Sequence, residues 1–84
     1  MTTANFPLSI LAIDREIFLG KATSLILPTV QGQIQVLAGH APLIALLQDG
    51  DVLIEKEDST TEKLPVAGGV LHVKEDRVTL LVNF

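Results

Sequence analysis

A chain of 84 residues with a formal net charge of −4 is short for more than one domain and too acidic to hold nucleic acid or anionic lipid on a basic face. The absence of Cys excludes disulfides, thiolate nucleophiles and Cys-based metal sites. Hydrophobic residues reach 48% but aromatics only 4%, without Trp or Tyr, so the core is aliphatic and platforms for stacking sugars or bases are lacking.

Met1 to Asn5 is a small polar lead, expected to fray. Leu8 to Ile13 reads as a strand with Leu8 and Ile10 on one face and Leu11 opposed to them, ending in the charged turn Asp14-Arg15-Glu16. Ile17-Phe18-Leu19 runs to Gly20, and Lys21 to Leu27 forms a separate strand that Pro28 is expected to stop. Gln31-Gly32-Gln33 turns into the period-two alternation Ile34-Gln35-Val36.

At Gly39-His40-Ala41-Pro42 the chain must reverse. Gly39 can take a positive φ, while Pro42 fixes its own φ and keeps Ala41 out of the helical region. The reversal carries His40 to its tip, on the surface. Leu43 to Leu47 fits either a short strand or one helical turn. After the Asp49-Gly50 break, Val52 to Glu57 alternates, with Val52 and Ile54 inward and Leu53 outward, and Asp58-Ser59-Thr60 turns. Thr61 to Val66 returns as a strand, where Pro65 signals an edge or a bulge. Gly68-Gly69 is expected to form a tight bend before Val70 to Lys74, and Glu75-Asp76 leads to a last strand, Arg77 to Asn83.

Short strands at this spacing, with no long segment of period 3.6, predict an all-β fold: a small antiparallel β-sandwich of two sheets, one domain over residues 1–84. No apolar run approaches the roughly 18 residues of a membrane-crossing helix, and the N-terminus lacks a basic-then-apolar leader, so direct membrane insertion is not expected.

His40 stands out chemically. As a general base it would need a nucleophile and an orienting carboxylate within hydrogen-bond reach, and Asp49 and Asp51 are better explained as turn-formers. His72, on an alternating strand, suits a half-exposed cross-strand partner better than a ligand, because zinc wants three or four ligands at defined spacing. Gly68-Gly69 neither follows a strand-to-helix pattern nor carries the Lys of a phosphate loop. Neither a catalytic residue, a metal nor a cofactor is expected. Leu11 and Leu53, at the wrong parity for the core, would mark a protein-binding patch if several such residues shared one sheet face.

The stretch GHAPLIALLQDGDVLI from Gly39 to Ile54 resembles the GHAPL segment, with its downstream turn and strand, of the epsilon subunit of F-type ATP synthases. Val66-Ala67-Gly68-Gly69-Val70-Leu71-His72-Val73, followed by Arg77-Val78-Thr79-Leu80-Leu81, is similar to that family's second signature, a Ser-Gly-Gly turn followed by two strands. The match runs in the same order from Leu8 to Val82.

The resemblance implies a two-sheet sandwich that acts as a non-catalytic rotor subunit, linking the gamma subunit to the membrane c ring and lying peripherally on the cytoplasmic face of the (inner) membrane. It implies that His40 and, by position, Gln33 face the ring, and that Ala12 and Ala45 lie on the gamma side. Gln33 stands where the family commonly has Glu, Gln35 where it has Gly, and Ala38 and Asp49 where it has Pro. A salt bridge from position 33 to a ring arginine is therefore excluded, and a neutral hydrogen bond is roughly half as strong as a charge-assisted one. In the family the chain continues into a C-terminal helical hairpin that in many members inhibits ATP hydrolysis and in some binds ATP. This sequence ends at Phe84, where the hairpin would begin, so neither property is expected of it. A free-standing sandwich that serves as an adaptor is the alternative reading.

Overall fold

The computed structural model describes residues 4–84. Part of the expected frayed lead, residues 1–3, lies outside them. Asn5 is tied down, its Nδ2 donating to Glu57 Oε2 at 2.8 Å. Among the described residues the fold is all β: β1 Phe6–Leu11, β2 Glu16–Thr29, β3 Gly32–Leu37, β4 Leu43–Leu47, β5 Gly50–Lys56, β6 Thr61–Val66, β7 Gly68–Val73 and β8 Val78–Asn83.

The strands form two layers that share β2. In one, β1, β8, β7 and β4 lie side by side; in the other, β3, β2, β5 and β6. The first half of β2 pairs with β1 and its last residue, Thr29, with Leu47 of β4, so β2 hydrogen-bonds the two layers into one continuous sheet. Leu8, Ile10, Leu71, Val73, Leu80 and Val82 from the first layer are buried against Leu25, Leu27, Val36, Val52, Ile54 and Val66 from the second. Each fully buried Leu, Ile or Val side chain contributes about 1.5–3 kcal/mol. All pairings are antiparallel except β1 with β8. Those strands come from opposite ends of the chain, so no hairpin constrains their direction.

The sequence predicts a break at Gly20 and a stop at Pro28, whereas β2 runs through both for 14 residues. The Phe18 ring lies across Gly20, where a Cβ would come within 3.3 Å of Phe18 Cζ. At Pro28 the peptide points away from β3 and toward β4: its carbonyl accepts from Gln48 N at 3.0 Å, and on the same side Val30 N donates to Leu46 O at 3.1 Å. The missing N–H therefore falls beyond the last β5 pair, Ile26 with Leu53, where no ladder bond is required. Between Ala22 and Ser24 the register with β5 slips by one residue, and Thr23 Oγ1 answers by donating to Glu55 O at 3.2 Å. Leu43–Leu47, open between strand and helical turn in the sequence, is a strand. Pro65 occupies an edge, since β6 pairs only with β5.

The turn between β5 and β6 is held by charge. Asp58 Oδ1 accepts from the Thr60 hydroxyl and from Thr60 N, and these bonds keep its carboxyl below the usual carboxylate range. Lys56 Nζ lies 2.9 Å from Glu62 Oε2, and that hydrogen-bonded partner raises the Lys56 ammonium above its ordinary value. A depressed carboxylate stabilises the fold above its unfolded pKa, and that contribution is lost as pH falls through the folded one; a raised ammonium stabilises below its unfolded pKa and loses its contribution as pH rises through the folded one. The turn is therefore expected to be tightest between the carboxylate and lysine ranges. Thr60 amide exchange followed against pH checks this, with faster exchange than intrinsic pH dependence predicts at both extremes.

Candidate functional site

His40 sits in the turn that follows β3. His40 N donates to Leu37 O at 3.1 Å, and Gly39 takes φ +81° at the third position of that turn, while Ala38 keeps a negative φ. This is the type II arrangement, which calls for glycine there. Because a carbonyl only accepts, the 2.7 Å contact between His40 Nδ1 and Ala41 O makes Nδ1 the donor. Nε2 is left as the ring nitrogen available to an outside group, and the side chain is half-exposed. A backbone carbonyl, rather than a carboxylate, orients the imidazole. The turn borders a shallow pocket of about 170 Å³, into which Asn5, Lys74 and Arg77 also open. Among the described residues no group of three or more His, Asp or Glu could hold a metal ion.

Gln33 lies at the far end of the same strand, exposed and paired with Pro28. It is separated from Leu37, at the edge of the histidine turn, by about 13 Å of extended chain. Alternation turns Gln33, Gln35 and Leu37 outward and Ile34 and Val36 inward. Gln35 is steadied by a 3.0 Å bond from its Nε2 to Ser24 Oγ. Thus β3 and its turn form one strip with a polar residue at either end.

The second surface is the outer face of the β1-β8-β7-β4 layer. Cross-strand register aligns Leu46, Val70, Leu81 and Leu11 in one row over four strands. The next row is Ile44, His72, Thr79, Ser9 and, across on β2, Leu19. Ile44 is 70% exposed, Leu19 68%, Leu46 58% and Leu81 50%. Contiguous apolar faces of this kind mark protein-binding sites rather than chance exposure. A hollow of about 230 Å³ between Val30 and Leu46 extends the face to the tip of the β2–β3 hairpin.

Sequence parity signals only Leu11 of the main row. The other member at the wrong parity, Leu53, lies half-buried on the opposite layer between Ile26 and Lys63. Ala12 and Ala45, expected on a partner-facing side, instead pack partly buried against the core. On β4 the inward residues are Leu43, Ala45 and Leu47, so Ile44 and Leu46 face outward in place of Ala45. Gly68 and Gly69 lie inside β7 rather than in the bend, which falls at Ala67. There the backbone of Gly69 comes too close to Leu81 for any side chain. Pro42 lies between the His40 turn and β4, in the expected reversal.

The chain is thus an all-β sandwich body with two distinct outward surfaces, one apolar and one bearing an imidazole held by a neighbouring carbonyl. The chain belongs to the family of the ATP synthase delta/epsilon chain, beta-sandwich domain, which it matches over residues 5–84. It is 36% identical over 80 residues to the ATP synthase epsilon chain of Acinetobacter baylyi, covering 95% of this chain and 58% of that one. With the epsilon chain of Bordetella parapertussis the identity is 35% over 80 residues, covering 95% and 57%. The chain thus spans little more than half the length of these relatives. In fold it is similar to a chain of the Euglena gracilis mitochondrial ATP synthase OSCP/F1/c-ring structure, with a TM-score of 0.88, 24% identity, and coverage of 98% of this chain and 52% of that one. A chain of the Tetrahymena thermophila mitochondrial ATP synthase central stalk/c-ring structure aligns with a TM-score of 0.79 at 13% identity, covering 100% and 67%.

Proposed function

We propose that this chain is a non-catalytic central-stalk subunit of an F-type ATP synthase, one sandwich over residues 1–84 that links the gamma subunit to the c ring. The observation that carries this reading is the pairing of two different surfaces on one closely packed body. The apolar row Leu46-Val70-Leu81-Leu11 has the character of a large, long-lived protein interface and is assigned to gamma. The polar-ended strip of Gln33, β3 and His40 is assigned to the ring's loops. Family membership and the epsilon-chain relatives support the synthase context.

The work is mechanical. A β body packed at crystal-like density deforms little, so torque that arrives at one surface leaves by the other. Engaging one partner also raises the effective concentration of the second. Among the described residues no helix is long and apolar enough to cross a membrane; the proposed attachment, peripheral on the cytoplasmic face, is through the ring.

The test is co-purification with gamma and with the ring, and recovery of neither under gentle conditions overturns the reading. His40→Ala is expected to leave stability within about 0.5 kcal/mol of the parent. Its ring affinity should fall about fivefold, the worth of one hydrogen bond of about 1 kcal/mol. Titrating ring against both proteins, with melting curves alongside, checks this prediction; a large fall in melting temperature would make His40 a structural residue.

A further inference from the structure

In the first layer β2 pairs along β1 and covers the end of β4 at Leu47, which leaves only Leu43–Ala45 of β4 without a strand on that side among the described residues. The second layer has two open edges among the described residues, β6 and β3. The β6 edge carries Glu62, Lys63 and Pro65, devices that keep other chains from adding to a sheet. The β3 edge, GQIQVL, carries no charge and no proline. A six-residue neutral strand with β-branched Ile34 and Val36 on an open edge is a template for pairing.

The direction of its free hydrogen bonds follows from Pro28. Since Pro28 and Val30 bond toward β4, Thr29, Leu27 and Leu25 bond toward β3, and their partners are Gly32, Ile34 and Val36. The main-chain N–H and C=O of Gln33 and Gln35 therefore point out of the open edge. Those two residues flank Ile34 symmetrically. An antiparallel copy placed about a twofold axis at Ile34 sets each Gln33 against the other copy's Gln35, and both are hydrogen-bonded pairs. The two Ile34 residues then meet as the intervening non-hydrogen-bonded pair, the kind whose side chains approach most closely.

We propose that two copies of this chain associate through β3, edge to edge and antiparallel about Ile34, which merges their β3-β2-β5-β6 layers into one sheet. The contact is isologous, so it closes at the dimer. One strand pair buries less than the about 1,200 Å² of a standard interface, so the dimer is weak and reversible. The pairing is a property of the free chain and does not rest on the rotor reading; the ring's loops, assigned to the same strip, would compete with the second copy.

Sedimentation equilibrium of the 84-residue chain from about 5 µM to about 1 mM, the range in which a small interface becomes populated, is expected to show mass rising from monomer toward dimer. Over that range the Gln33 and Gln35 amide resonances should shift and their exchange slow. Those of Ile34 and Val36, already bonded to β2, should stay put. Gln33→Lys should weaken association at least tenfold, whereas the same charge change on the other edge, Thr61→Lys, should leave it unchanged. Gln35→Pro, which removes one outward N–H and no main-chain bond to β2, gives an independent block; Gln35→Ala, which loses only the Nε2 bond to Ser24 Oγ, is its control and should leave association unchanged. A monomer throughout overturns the proposal. So does a dimer that is indifferent to both Gln33→Lys and Gln35→Pro, or one whose shifts fall on Ile44, Leu46 and Leu81.

Discussion

Gly69→Ala is expected to lower stability by about 3–5 kcal/mol, from a forbidden contact together with backbone strain. A Cβ on Gly69 would stand 2.0 Å from Leu81 O and 3.0 Å from Leu81 C and Val82 Cα. All three are backbone atoms of the adjoining strand, so relief requires parting β7 from β8 rather than turning a side chain. The residue also has φ +150°, where a side chain is strained whatever the space. A chain of this length has only about 4–13 kcal/mol in total. Since about 1 kcal/mol moves the midpoint of so small a domain by roughly 4–8 °C, thermal melting should show a fall of more than about 12 °C. Gly39→Ala is the matched comparison. Its φ is +81° but a Cβ there meets nothing within 4 Å, leaving a strain of about 1–2 kcal/mol. Equal melting of the two variants would mean that the close approach at Gly69 is absent.

Leu46→Asp and Leu81→Asp should each weaken the gamma association by about 2–4 kcal/mol, roughly 30- to 1000-fold, by forcing a carboxylate into the centre of an apolar contact. Both side chains are at least half exposed in the chain by itself, so the fold should lose about 1 kcal/mol or less. Leu37→Asp supplies the converse. Leu37 is equally exposed but lies on the β3 strip, so its substitution should weaken ring binding and spare gamma. Binding titrations with each partner separate the surfaces. If Leu37→Asp and Leu46→Asp damage both partners alike, the assignment of one surface to each is wrong.

Much of this protein was legible without coordinates because a strand is a local pattern. Alternation over Ile34-Gln35-Val36 set Ile34 and Val36 on one face and Gln35 on the other, and Gly39 with Pro42 required the reversal that carries His40. The strand continues through Pro28 for a definable reason. Whether a proline breaks a strand depends on which neighbour its nitrogen faces, and here β5 has already ended on that side. Gly68-Gly69 lies within β7 although its residues suggest a bend, because the approach of Leu81 from another strand is invisible in the residues around Gly69.

By itself the sequence determined the all-β class, most of the strand positions, the histidine turn and the family, all of which depend on residue type and near spacing. The tertiary structure alone decided that β1 lies parallel to β8, that Leu11, Leu81, Val70 and Leu46 form one row, and that Ala45 turns inward while Ile44 and Leu46 turn out. A period of two tells which residues share a face of one strand. Which strands stand beside one another, and in what register, is set by how the two layers bury their aliphatic faces together.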